Sequence, residues 1–124
     1  MELNAFKRRW LKHFAPDISS KDINKYVVST GNYIWHVFSW ELLPSETYLE
    51  GDLARAAYNN ANKDGALYIE PFGKCACKPL TPEFKDASKL DELTEIYVIA
   101  NDYSWTYIKT HENNLCGPYF IPKP

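Results

Sequence analysis

A chain of 124 residues, 45% apolar and 24% charged, has the length and balance of one folded domain with a single core, which excludes a disordered chain. Fourteen Lys and Arg against sixteen Asp and Glu leave a net charge of −2, which argues against a dedicated nucleic-acid binder, because phosphate affinity comes largely from cations that release counterions. No stretch approaches the roughly 18 apolar residues of a membrane span, and the N-terminal MELNAFKRRWLKHF lacks an apolar h-region and a cleavage site, so a cytoplasmic location is expected.

Along the chain, Leu3, Phe6, Trp10 and Phe14 recur at helical spacing with Lys7, Arg8 and Lys12 between them, which predicts an amphipathic helix over Leu3–Phe14, broken by Pro16. Ser19 or Ser20 can cap a second, short helix carrying Ile23, Tyr26 and Val27, with Gly31 as its stop. Tyr33–Trp40 reads as a strand, apolar on both faces, with His36 among apolar neighbours as a hydrogen-bonded core histidine. Asp52 opens a helix whose small residues Ala54, Ala57 and Ala61 suit close packing on a sheet. Ala66–Phe72 reads as a short strand at an edge or stopping abruptly, because Pro71 cannot continue the ladder. Lys74–Lys78 reads as extended, with Cys75 and Cys77 on one side, and Thr81-Pro82-Glu83 predicts a helix start that runs to about Leu90.

The densest apolar run follows. Strand Glu95–Ala100, a turn at Asn101-Asp102 and strand Ser104–Glu112 form the expected central hairpin, with a turn over Asn113–Cys116 and a last strand near Pro118–Ile121. Strict alternation puts Trp105, Tyr107, Lys109 and His111 on one face and Glu112 on the other, which separates His111 from its neighbouring acid. The fold expected is a single α+β domain over residues 1–124, with three or four helices packed mainly on one face of an antiparallel or mixed sheet of four to five strands.

Three cysteines, Cys75, Cys77 and Cys116, are odd in number and form no CxxC, which fits reduced thiols. With His111 they would complete a zinc ligand set, but one intervening residue between Cys75 and Cys77 is too few for two ligands on one tetrahedral centre. No metal and no cofactor are expected. There is no P-loop, GxGxxG, GxSxG or HExxH.

Two functional readings lead, with a small-ligand-binding or purely structural role behind both. The aromatic content of 15%, four Trp, nine Tyr and six Phe, suits a protein interface as well as a core. Tyr103, Trp105, Tyr107, His111, Glu112 and Tyr119 lie on or beside the hairpin as its candidate contact residues. Alternatively, His111 and His36 with Lys109 could serve acid–base catalysis in a small hydrolase or nuclease, provided that they meet in space.

The segments WHVFSWELLP, EGDLARAAYNN, YIEPFG, EIYVIANDYSWTYIKTHE and CGPYF resemble an uncharacterised family of small bacterial proteins carrying a domain of unknown function. The resemblance spans Trp35–Phe120, is most specific over Ser104–Phe120, and implies no catalytic role for any residue. As a class, small acidic aromatic-rich bacterial proteins without motifs also resemble immunity proteins. The leading expectation is therefore a protein-binding module of the immunity type whose partner is a cognate toxin domain, with the hydrolase as the alternative.

Overall fold

The computed structural model describes residues 1–72, 76–112 and 115–122. Helix α1 spans Leu3–Phe14, as its apolar spacing predicts, and its Phe6, Trp10 and Phe14 are all buried. Helix α2, Ser20–Tyr26, is capped by Ser19, whose Oγ accepts from the Asp22 amide at 3.2 Å. A turn of 3-10 helix, Val28–Thr30, then ends at Gly31 with φ +105°. That backbone conformation strains any residue with a Cβ, and here a Cβ would also lie 2.7 Å from the Tyr33 ring.

The strand expected over Tyr33–Trp40 is absent. The segment turns at Tyr33–Trp35 and forms the one-turn helix α3, His36–Ser39, with Ile34, Trp35, Val37 and Phe38 buried. A short run that is apolar at nearly every position satisfies both periods, and Ile34, Val37 and Phe38 are also spaced as one helical face. The choice fell to contacts made elsewhere.

Strand β1 is only Leu49–Glu50, and α4, Asp52–Asn60, follows with Ala54 and Tyr58 inward. Strand β2, Leu67–Ile69, stops before Pro71 as expected, yet it is not an edge: the two-residue β3, Lys78–Pro79, lies outside it. The helix expected over Pro82–Leu90 is divided into a 3-10 turn, Pro82–Lys85, and α5, Ala87–Leu90. Asp86 interrupts it in an extended conformation and caps α5 by accepting from the Ser88 amide at 2.9 Å, whereas Thr81 makes no side-chain cap bond to the 3-10 turn.

Strands β4, Ile96–Ile99, and β5, Trp105–Lys109, form the central hairpin as expected, and β6, Tyr119–Pro122, completes it on the other side of β5. The turn runs one residue beyond Asn101-Asp102, because Tyr103 takes the left-handed conformation at φ 59°. Among the described residues a six-stranded antiparallel sheet results, in the order β1-β6-β5-β4-β2-β3, one strand wider than expected. The expected extended Lys74–Lys78 stretch and the turn at Asn113–Cys116 both include residues outside those described.

Helices cover both faces of the sheet rather than mainly one. On one face Phe6, Trp10 and Phe14 of α1 and Val37 and Phe38 of α3 pack with Tyr97, Ile99, Ile108, Tyr119 and Ile121. Across the sheet, Ala54 and Tyr58 of α4 and Ala87 and Leu90 of α5 pack with Ile96, Val98, Trp105, Tyr107 and Phe120. The second layer is tied by Arg55, which pairs with Asp91 at 3.0 Å and with Asp52 at 2.9 Å, and by the Asn59 side chain, which accepts from the Ala87 amide at 2.8 Å. Continuous burial along β4 and β5 follows, since neither face meets water.

Candidate functional site

Strand pairing brings the site together. Ile96 on β4 is opposite Lys109 on β5, so Glu95 lies level with the residues that leave β5. Glu95 precedes Tyr97 and Ile99 in the two-residue period of β4, which directs it to the α1 face. There, Phe6 stacks over the Tyr97 ring at 6.2 Å between centroids.

Beyond Lys109 the chain leaves the strand. The Thr110 hydroxyl donates to the Cys116 carbonyl at 2.6 Å and accepts from the Glu112 amide at 3.2 Å, a local turn bonded by a side chain in place of the ladder. His111 is thereby freed from strand alternation and turns to the α1 face, opposite to the Trp105, Tyr107 and Lys109 face on which alternation placed it. Its acidic partner is Glu95 and not the adjacent Glu112, which instead accepts from Cys116 Sγ at 3.7 Å.

The Glu95 side chain is 0% exposed and is held only by donors. Oε1 accepts from Trp35 Nε1 at 3.0 Å, from the His111 amide at 3.1 Å and from His111 Nδ1 at 2.7 Å, and Oε2 accepts from the Tyr97 hydroxyl. Burial, then the charge of Glu95 and the hydrogen bond to it, push the Tyr97 hydroxyl well above its ordinary pKa, so it stays protonated and donates. Because Glu95 is an acceptor, Nδ1 of His111 carries the hydrogen. Nε2 is thus the nitrogen left to exchange a proton, on a side chain 30% exposed, and has no hydrogen-bond partner among the described residues.

His36 is fixed in the same way. The Thr30 hydroxyl donates its one hydrogen to the Tyr26 carbonyl at 2.6 Å, so at the 2.6 Å contact between Thr30 Oγ1 and His36 Nδ1 the imidazole donates. Both histidines sit against the stacked pair Tyr33 and Trp35. His36 meets Trp35 at 4.5 Å and Tyr33 at 5.5 Å, whereas His111 meets them at 5.5 and 5.0 Å. Phe72, half exposed, closes the outer side at 5.3 Å from His111.

Burial lowers the His36 pKa below its ordinary 6.5, against the raising influence of the Tyr26 carbonyl, Glu112 and Glu95. Below the unfolded value the unfolded chain takes a proton that folded His36 refuses, so this residue's contribution to stability falls as pH drops through about 6.5, until the folded pKa is reached. Thermal midpoints followed from about pH 7 to about pH 5 should fall less steeply in His36→Asn than in the unaltered protein. Parallel curves for the two proteins would refute the assignment.

The other expected site residues are placed elsewhere. Lys109 is buried on the opposite face with Nζ donating to the Leu93 carbonyl and, at 3.0 Å, to that of Thr94, so it does not join the two histidines. Burial is the chief influence lowering its pKa. Of the expected contact aromatics, Trp105 stacks on Phe120, Tyr119 stacks on Phe38 and Tyr107 packs tilted against Tyr58, all buried, while Tyr103 is half-buried and stacked on His13 at 4.0 Å. The Tyr107 hydroxyl is buried without a hydrogen-bond partner among the described residues.

Glu95, Trp35, Tyr97 and Tyr33 were missed in the sequence. One signal was available for Glu95: an acid in phase with Tyr97, at the head of a run buried on both faces, has to find donors inside. No three His, Cys, Asp or Glu side chains gather as a metal site among the described residues, and no described helix is long and apolar enough to cross a membrane.

No curated protein and no solved structure matches the chain. A family model, described as a domain of unknown function, DUF4275, matches residues 3–120. That match runs from the start of α1 into β6 and takes in every residue that builds the Glu95 site, and the chain belongs to this family.

Proposed function

We propose that the protein is a small hydrolase in which His111 is the acid–base group. The observation that carries the reading is the buried Glu95 carboxylate holding His111 Nδ1 at 2.7 Å, on a side chain 30% exposed. A carboxylate on one imidazole nitrogen sets the tautomer and ring orientation and stabilises the imidazolium that forms when the other nitrogen takes a proton. Nε2 can then draw a proton from a water attacking a carbonyl carbon and return it to the leaving group. General acid–base assistance of this kind supplies roughly 10²–10⁴ in rate.

The substrate class follows from the surroundings. Tyr33 and Phe72 offer apolar ring surface beside His111, and Lys109, the cation expected to serve a phosphate, is committed to two backbone carbonyls. Uncharged esters or amides with an apolar acyl or leaving group fit this wall better than phosphodiesters. Initial rates on a series of aryl esters and anilides should fall by about 10²–10⁴-fold in His111→Ala. Unchanged rates in that variant, with its fold verified by circular dichroism, would sink the proposal, as would an absence of turnover across the series in the unaltered protein.

A second reading, a module that binds a cognate toxin domain as an immunity protein, is supported by Trp40. This residue is 50% exposed and packs on Tyr26 at 5.6 Å, the kind of rigid aromatic anchor that protein interfaces favour. Co-purification of a toxin domain, lost in Trp40→Ala, would favour it; no captured toxin domain and no protection of a toxin-challenged cell would remove it.

A further inference from the structure

The end of α1 opens into a cleft of about 540 Å³, the size of a small-molecule site. Its walls are Phe14, Ile18, Leu42, Leu43 and Ile121, drawn from α1, the turn that Pro16 imposes, the loop after α3, and β6. The cleft is separate from the His111 site. Ile121 pairs with Thr106 near the start of β5, whereas Glu95 and His111 gather beyond Lys109 at its end, roughly 10 Å further along the strand.

The polar side chains at the cleft are almost all acceptors. Among the described residues, the charged ones lining it are Asp17 and Asp22, and neither carboxylate takes part in an ion pair there. The Thr47 hydroxyl spends its hydrogen on the Pro44 carbonyl at 2.6 Å, which leaves its lone pairs outward. Ser19 Oγ accepts from the Asp22 amide at 3.2 Å, so its hydrogen is the one donor left among these lining side chains. Among the described residues, no Lys, Arg or His lines the cleft.

An apolar interior with two carboxylates that form no ion pair among the described residues selects against anions and leaves a neutral polar head with little to accept from. A ligand satisfies the whole site when it carries an apolar body of a few carbons and a single cationic head rich in N–H donors. We propose that this cleft binds a small primary amine, alkyl or arylalkyl, its hydrocarbon against Phe14, Leu42, Leu43 and Ile121 and its ammonium between Asp17 and Asp22. The carboxylates lie toward solvent, so their share of the affinity is screened by salt.

The experiment is a titration of the full chain with phenethylamine, 2-phenylethanol and 3-phenylpropionate, which share the ring and differ in the head. Amide shifts of Ile18, Leu42 and Leu43 report the site without any reference to catalysis, so the outcome is independent of whether His111 is an acid–base group. Phenethylamine is expected to bind with a Kd below about 1 mM, at least about tenfold tighter than the alcohol, with the carboxylate weaker still. Asp17→Asn combined with Asp22→Asn, surface changes that remove no hydrogen bond or ion pair described above, should bring the amine down to the level of the alcohol. Raising salt should weaken the amine and leave the alcohol unchanged. Absence of shifts at these amides with phenethylamine at about 10 mM would overturn the proposal, as would equal affinity for the carboxylate or undiminished amine binding in the double variant.

Discussion

Alanine in place of Glu95 is expected to cost about 3–5 kcal/mol of folding stability, the largest single-residue effect tied to the candidate site. Four donors converge on this carboxylate: Trp35 Nε1, the His111 amide, His111 Nδ1 and the Tyr97 hydroxyl. In Glu95→Ala, the Trp35, Tyr97 and His111 amide donors lose an acceptor that is itself 0% exposed, and each donor left buried carries about 1–3 kcal/mol of desolvation. The pieces affected are far apart in sequence, since Glu95 ties the turn before α3, the start of β4 and the departure from β5 into one assembly. Urea unfolding at neutral pH gives the value directly. A loss below about 1 kcal/mol would mean that the network is not formed in solution. His111→Ala, which removes one partner and leaves the Trp35, Tyr97 and backbone bonds, should cost clearly less, so catalytic and structural effects can be separated at this site.

Trp10→Ala is expected to cost about 3–5 kcal/mol, by the loss of a large buried ring and the cavity that remains. Trp10 is 1% exposed, contacts Phe14 and Phe38, and its Nε1 donates to Thr106 Oγ1 at 2.8 Å. The Thr106 hydroxyl passes its own hydrogen to the Val98 carbonyl at 2.8 Å, so one chain of bonds runs from α1 through β5 to β4. Trp10→Phe keeps most of the apolar area and breaks only the first of these bonds, because Thr106 still donates onward; its expected cost is about 1–2 kcal/mol. Chemical denaturation of both variants tests the pair. Equal losses for Phe and Ala would show that the hydrogen bond, and not the ring volume, holds α1 to the sheet.

The most legible parts of the chain were those in which one period dominated over enough residues. α1 repeats its apolar residues over four positions against a charged background, and α4 and the β4–β5 hairpin have equally little competition from the other period. Tyr33–Trp40 had no such contrast. Apolar residues stand at nearly every place, so strand and helix were equally consistent with the pattern until Ile34, Trp35, Val37 and Phe38 were packed against α1 and β6. The divided helix at Asp86 was hidden for a similar reason, since Thr81-Pro82-Glu83 is a good helix start and nothing local shows that Asp86 caps a second helix.

The sequence by itself determined an α+β domain organised on the C-terminal hairpin, because alternation, turn residues and helical stripes are local properties written within a few positions of each other. It determined as well that His111 and Glu112, adjacent in the chain, would not act together on a regular strand. The tertiary structure alone decided that helices cover both faces of the sheet, and hence that Trp105, Tyr107 and Tyr119 are consumed in the core. It also decided the partner of His111. Thr110 turns the chain out of β5 by bonding to the Cys116 carbonyl, and β4 presents Glu95 at the same level, so the pairing depends on strand register and on a departure from it, which residue spacing does not encode.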